Sequence, residues 1–172
     1  YENRLGKNGI CVVDARTGKI IWGHPLPTAH IHDQGMLADI DPGNPGLEVY
    51  GAEQNGTGYW LYAARTGKLL STNSLNTISP RSFYWTDGSI KAYSPFNYRA
   101  SGNPILKYNG PQVGQLPGQI IAIADVIGDW REELIVSTNG ELRICTTTIP
   151  ATTRHVCLMQ DRLYRADVAL EA

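Results

Sequence analysis

Residues 59–70 read Y-W-L-Y-A-A-R-T-G-K-L-L. An apolar run gives way to a polar turn carrying Gly67, and a second apolar run follows, which is the pattern of a β-hairpin. The same arrangement stands 49 residues earlier, where residues 9–22 read G-I-C-V-V-D-A-R-T-G-K-I-I-W around Gly18. A second motif interleaves with the first. Residues 35–50 (G-M-L-A-D-I-D-P-G-N-P-G-L-E-V-Y) and 119–136 (Q-I-I-A-I-A-D-V-I-G-D-W-R-E-E-L-I-V) share an apolar strand, Ala-Asp, an acid-rich turn, Glu and another apolar strand. Repeats of about 40 to 50 residues built from strand pairs mark the blades of a β-propeller. The continuous and alternating apolar runs exclude a helical solenoid.

The fold class expected is therefore all-β, a β-propeller segment of about three and a half four-stranded blades. Part of one blade lies in residues 1–30, a complete one in 31–78, a divergent one around Phe83-Tyr84-Trp85 in 79–117, and another in 118–150, with a tail over 151–172. The chain 1–172 is then one partial domain. A closed propeller needs at least about four blades, and an incomplete one leaves sheet edges unpaired, so the missing blades are expected from the same parent chain or a second chain. The start at Tyr1, without Met and without a charged-then-apolar leader, points the same way, to a released or excised piece of something longer. Only residues 155–172 have helical spacing, through Val156, Met159, Leu163 and Asp167.

Composition narrows the function classes. With 15 basic against 16 acidic side chains, 42% hydrophobic and 18% charged residues, the chain has no basic field for nucleic acid. No run approaches the ~18 apolar residues of a membrane span. The 18 Gly and 10 Pro favour short strands and tight turns over long helices. Cys11, Cys145 and Cys157 cannot all pair with one another and form no C-x-x-C, so they read first as small buried hydrophobes.

The charge is gathered locally. One loop offers Asp39 and Asp41, the turn Gly43-Asn44-Pro45-Gly46, then Glu48; the other offers Asp125, Asp129, Glu132 and Glu133. Hard oxygen donors at alternating positions suit Ca²⁺, which takes six to eight oxygens in irregular geometry, whereas Zn²⁺ would call for sulfur or nitrogen. Expected ligands are Asp39, Asp41, Asn44 and Glu48 in the first loop and Asp125, Asp129 and Glu133 in the second. The alternative is that Asp and Gly make turns and the Glu is a solvated strand end. Near the first loop, His24, His30 and His32 fall within nine positions. His30 and His32 share a face if extended, as a substrate contact, and His24 is a further metal candidate. The alternative is that neighbouring carboxylates satisfy them.

Read together, A-D-I-D-P-G-N-P-G-L-E-V-Y-G (38–51), A-D-V-I-G-D-W-R-E-E-L-I-V (124–136), T-T-T-I-P (146–150), R-H-V-C-L-M-Q-D (154–161) and Y-R-A-D-V-A (164–169) resemble the C-terminal part of rhamnogalacturonan lyases of polysaccharide lyase family 11. The most specific stretch is G-D-W-R-E-E followed by T-T-T-I-P and L-M-x-D-x-x-Y-R. The resemblance implies an eight-bladed propeller carrying several Ca²⁺ ions, in secreted, cell-surface or periplasmic bacterial enzymes that cleave the rhamnogalacturonan I backbone of pectin by β-elimination. Lys107, in I-L-K-Y-N-G, resembles the lysine of the family's K-W-N segment. Tyr164, in L-Y-R, resembles a cleft tyrosine near the family's C-terminus. Carried over, Lys107 neutralises charge or abstracts a proton, and Tyr164 transfers a proton or touches substrate.

There are departures. Asp33-Gln34-Gly35 stands where the family reads G-R-G, and Gln34, placed at the catalytic position, can hydrogen-bond a carboxylate without neutralising it. Trp85-Thr86-Asp87-Gly88 stands where W-W-D-G is expected, Lys91-Ala-Tyr-Ser replaces an acidic R-E-L-L stretch, and the family's terminal Q-P-P-H segment is missing. The competing reading is a non-catalytic, calcium-stabilised carbohydrate-binding propeller fragment in which Trp85, Tyr108, Tyr84 and Trp130 stack on sugar rings, with Trp85 and Tyr108 the leading substrate contacts. A pure scaffold is a third reading.

Overall fold

The computed structural model describes residues 6–31, 35–95 and 102–171. Among the described residues thirteen strands lie in four antiparallel sheets, and the chain divides into two compact units, Tyr1–Pro80 and Arg81–Ala172. The all-β expectation holds. Among the described residues helix occurs only at Leu158–Gln160 and Arg162–Glu171.

In the first unit β1 (Cys11–Val13) and β2 (Ile20–Gly23) form a hairpin, and β3 (Met36–Ala38), β4 (Glu48–Ala52), β5 (Tyr59–Ala63) and β6 (Leu69–Ser71) form a four-stranded meander. The quoted A-R-T-G-K repeat makes the two turns. Gly18 and Gly67 both sit at φ 71°, a left-handed conformation that a side chain resists. At Gly67 a Cβ would also come within 2.6 Å of Trp22. The indole of Trp22 lies over that turn and donates to Ala64 O at 2.7 Å, so the first hairpin is docked on the second. Met36, Ala38, Ile40, Tyr50, Ala52 and Leu61 form the buried interior. The Tyr50 hydroxyl donates to Thr77 O at 2.7 Å and accepts Leu75 N–H at 3.3 Å.

The second unit holds a meander of β7 (Pro80–Phe83), β8 (Ala92–Pro95), β9 (Pro104–Leu106) and β10 (Gln112–Gln115), then a three-stranded sheet of β11 (Gln119–Ala124), β12 (Glu133–Thr138) and β13 (Glu141–Cys145). Phe83, Trp85, Ala92, Ile105, Leu116, Ile120, Leu134 and Val136 share one core drawn from both sheets. Burying a side chain such as Phe83 contributes about 1.5–3 kcal/mol relative to leaving it in water. By contrast Leu142 and Ile144 on edge strand β13, and Ile20 and Ile21 on β2, are more than half exposed.

The helix α1 (Arg162–Glu171) starts seven residues later than the expected tail segment and is preceded by one 3₁₀ turn, Leu158–Gln160. Asp161 Oδ1 accepts the N–H groups of Leu163 at 2.7 Å and Tyr164 at 3.4 Å, which sets the start as an N-cap. Its Leu163 and Leu170 are exposed, while Tyr164 and Val168, four residues apart on one face, are half-buried. The cysteine expectation needs correction. All three are free thiols, but Cys11 is exposed and the other two are half-buried.

Candidate functional site

The two acidic loops fold to one plan. In the ladders Ala38 faces Glu48 and Ala124 faces Glu133, so each Glu opens the strand after its loop. Glu48 Oε2 accepts Ile40 N–H at 2.8 Å and Asp41 N–H at 3.0 Å; Glu133 Oε2 accepts Val126 N–H at 2.9 Å and Ile127 N–H at 3.1 Å. Both carboxylates are at most 1% exposed. Neither is a solvated strand end. Each is an internal clamp satisfying loop backbone that would otherwise be buried unpaired. Burial pushes the Glu133 carboxyl up, while the Ile127 N–H and the Thr146 hydroxyl oppose the shift.

Calcium asks for six to eight oxygens. Among the described residues no three of His, Cys, Asp and Glu are grouped to hold a metal. The second loop does not fit the ion. Asp125 accepts the N–H groups of Gly128, Trp130 and Leu158, Asp129 holds the Arg131 guanidinium at 2.6 Å, and the second oxygen of Glu133 accepts Thr146 Oγ1–H. In the first loop Asn44 spends its amide on Glu48 at 2.5 Å. One atom there does fit. Asp39 Oδ1 is buried with no hydrogen-bond partner. Desolvation first, then the charges of Glu48 and Asp41, raise the Asp39 carboxyl.

The two described histidines of the cluster have different partners. His24 is buried, shares a 2.5 Å hydrogen bond between Nδ1 and the Tyr62 hydroxyl, and lies 4.5 Å from the Trp60 ring. Burial lowers its pKa, against the pull of Glu53, so it belongs to the aromatic interior of its unit. The backbone N–H of His30 donates to Glu53 Oε2 at 2.7 Å. His32 and Gln34 lie outside the described residues.

The second unit brings together what the sequence set far apart. Residues 84–87 leave β7 with Trp85 turned into the core, 6% exposed and edge-on to Phe83 at 5.9 Å, so this tryptophan packs against protein rather than offering a face to sugar. Tyr84 exchanges hydrogen bonds with Glu132. Its N–H donates to Glu132 Oε2 at 2.8 Å, and Glu132 N–H donates to its carbonyl at 3.0 Å. Glu132 Oε2 also pairs with Lys91 Nζ at 3.3 Å, and Oε1 accepts the Tyr164 hydroxyl at 3.0 Å. Tyr164 in turn accepts Asp125 N–H at 3.0 Å. Lys91 lies 4.5 Å over the Tyr84 ring, and Tyr84, Trp130 and the exposed His155 form an aromatic group with centroids 4.6–6.5 Å apart.

Two residues on, the Thr86 hydroxyl accepts Lys107 Nζ–H at 3.0 Å. Lys107 opens the turn after β9, where its carbonyl accepts Gly110 N–H at 3.1 Å and Asn109 takes a left-handed φ of 49°. Tyr108 in that turn is half-buried. Next to Thr86, Asp87 accepts the N–H and hydroxyl of Thr152 and the N–H of Thr153 at 2.8–3.0 Å. Hydrogen bonds, foremost from the Thr153 side chain, hold its carboxyl well below the usual range. Burial first, then the Glu132 charge, pushes the Tyr164 phenol far up, so it keeps its proton at neutral pH. Trp130, a residue with a bulky side chain, is held at φ 74° with its N–H on Asp125, the kind of strained position that recurs at functional sites. Sequence reasoning missed Glu132, Thr86 and Lys91 as members of this site. Only the doubled Glu of G-D-W-R-E-E hinted at the first.

A family model described as rhamnogalacturonan lyase family 11, C-terminal domain, matches residues 1–172. The chain is 35% identical over 186 aligned positions to rhamnogalacturonan endolyase YesW of Bacillus subtilis (strain 168), covering 98% of this chain and 27% of that protein. It is 30% identical to rhamnogalacturonan exolyase YesX of the same organism, covering 98% and 30%. Among solved structures it superposes on YesX with a TM-score of 0.72 (27% identity, 91% of this chain, 29% of that one) and on YesW with 0.65 (31%, 94% and 28%). A Bacillus licheniformis rhamnogalacturonan lyase superposes with 0.60 at 30% identity, over 91% of this chain and 27% of that one. The chain thus spans less than a third of the relatives it matches.

Proposed function

The chain belongs to rhamnogalacturonan lyase family 11, as its C-terminal domain, and from that premise we propose that it is the C-terminal part of a longer enzyme cleaving the rhamnogalacturonan I backbone of pectin by β-elimination. In this reaction a base takes the proton from C5 of galacturonate, whose acidity rises when its carboxylate is neutralised. The C5–H electron pair becomes the C4–C5 double bond, the C4–O4 bond breaks, and O4 leaves with a proton.

The observation that carries the reading is that Lys107 and Tyr164, 57 residues apart, converge on one segment, Lys107 bonding Thr86 directly and Tyr164 reaching Tyr84 through the shared Glu132 carboxylate. The Lys107 ammonium suits neutralisation of the substrate carboxylate, and its neutral amine suits proton abstraction. The elevated Tyr164 phenol suits a proton donor to O4 rather than a base.

Calcium is proposed for the first acidic loop, with Asp39 and Asp41 as ligands. Bound there it supplies charge neutralisation that fixes the loop. The propeller reading, with four-stranded blades closing into a ring of eight, draws support from the exposed Leu142 and Ile144 on edge strand β13, which await a neighbouring sheet. The polymeric nature of the proposed substrate supports a location outside the cytoplasm, secreted, at the cell surface or in the periplasm.

One observation favours a second reading, a binding and scaffolding domain without chemistry of its own. The Tyr164 hydroxyl is fully engaged, donating to Glu132 and accepting from Asp125. The ultraviolet absorbance of the unsaturated uronate separates the two. It should rise when the full-length polypeptide meets rhamnogalacturonan I and fall away when Lys107 is replaced by alanine, whereas an undiminished rise in that variant supports the second reading.

A further inference from the structure

We propose that Thr86 is the positioning residue for Lys107, fixing the direction of its amine; this rests on the reading of Lys107 as a group that acts on substrate. A lysine side chain carries about 2 kcal/mol of rotamer entropy, so a free ammonium at a cleft samples many directions. Here Nζ is held 3.0 Å from Thr86 Oγ1, a hydroxyl on a residue that is 8% exposed and fixed in turn between the buried Trp85 and the engaged Asp87. The stem is anchored at its other end in the turn after β9.

The acceptor's chemistry matters. An ammonium has three N–H donors, and a neutral hydroxyl takes one of them without cancelling the charge, leaving two donors and the full charge for a substrate carboxylate. A carboxylate in the same place would neutralise it. Such a carboxylate, Asp87, is adjacent in sequence, and it is turned to Thr152 and Thr153, whose donors satisfy it.

The test uses the full-length polypeptide with rhamnogalacturonan I, measuring kcat and KM for Thr86→Val, Thr86→Ser, Lys107→Ala and the double variant Thr86→Val/Lys107→Ala. Thr86→Val, nearly isosteric, should lower kcat about tenfold or more with KM within about twofold, since a hydrogen bond to a charged group is lost without loss of the group itself. Thr86→Ser should stay within about twofold of the parent, and the valine should cost nothing further once Lys107 is alanine. Should the valine variant fail to fold, Thr86→Cys, small and a weak acceptor, is expected to show the same drop. Parent-level kcat in Thr86→Val while Lys107→Ala is inactive would overturn the proposal, as would an equal loss from the valine on both backgrounds. Full activity in Lys107→Ala would instead remove the reading of Lys107 on which the proposal stands.

Discussion

Tyr164 donates its hydroxyl to Glu132 Oε1 across 3.0 Å, while the other oxygen of that carboxylate stands 3.3 Å from Lys91 and accepts Tyr84 N–H at 2.8 Å. One buried carboxylate thereby joins the end of β7, the approach to β8 and helix α1. An isolated helix of ten residues is marginal in water, and this one exposes Leu163 and Leu170, so its docking depends on the face that carries Tyr164 and Val168.

Tyr164→Phe should therefore loosen α1 as well as change chemistry. It strips Glu132 of a donor and leaves Asp125 N–H without its acceptor, at a cost of about 1–3 kcal/mol. Amide exchange across residues 162–171 should accelerate while β12 stays protected. Unchanged exchange in the helix would show that its docking does not run through this hydroxyl.

Glu48→Gln and Glu133→Gln should both destabilise, because each glutamate clamps two backbone N–H groups through one oxygen. A neutral amide can still accept at its one oxygen, so the expected loss is about 1–2 kcal/mol for each, and alanine should cost more. Denaturant midpoints check this. For Glu133, whose folded carboxyl is raised by burial, the native state holds the proton more tightly than the unfolded chain. Its titration therefore favours folding below the ordinary glutamate range, and that contribution is lost as the pH rises through the raised value.

Asp87 works in the opposite sense. Its carboxyl is held low by the Thr153 and Thr152 donors, so the stability this tie contributes is complete above the ordinary aspartate range and is lost as the pH falls through the lowered value. Acid titration followed at the Thr152 and Thr153 amides should show their release. Asp87→Asn should flatten that response, and a response unchanged in the variant would assign it elsewhere.

Adding a calcium chelator should lower the melting temperature if Asp39 and Asp41 hold the ion. An extracellular-type site at millimolar calcium contributes about 1 kcal/mol through linkage. Asp39→Asn should abolish that shift. An equal chelator effect in this variant would move the site away from the first loop.

What the sequence disclosed followed from local periodicity. The repeat around Gly18 and Gly67 carried the hairpins, and the two Ala-Asp to Glu stretches carried the strand pairs on either side of each acidic loop, because apolar spacing and turn chemistry are written in consecutive residues. The roles of the acids were not legible. A loop that spends Glu133 on its own backbone and one that offers it to a metal share the same letters. Trp85 is equally opaque, since an aromatic in a loop reads as a sugar platform until Phe83 is found beside it. Glu132, Thr86 and Lys91 were missed because their partners, Tyr164, Lys107 and Glu132, lie 21 to 41 positions away in sequence.

The most direct measurement is the rate of unsaturated uronate release from rhamnogalacturonan I by the full-length polypeptide carrying Lys107→Ala, alongside its parent. A lysine that neutralises the substrate carboxylate or takes the C5 proton should, when removed, lower kcat by about 10²-fold or more, with folding and substrate binding retained. A variant that turns over at the parent rate would contradict the account, and would leave residues 84–87 and Lys107 as scaffold.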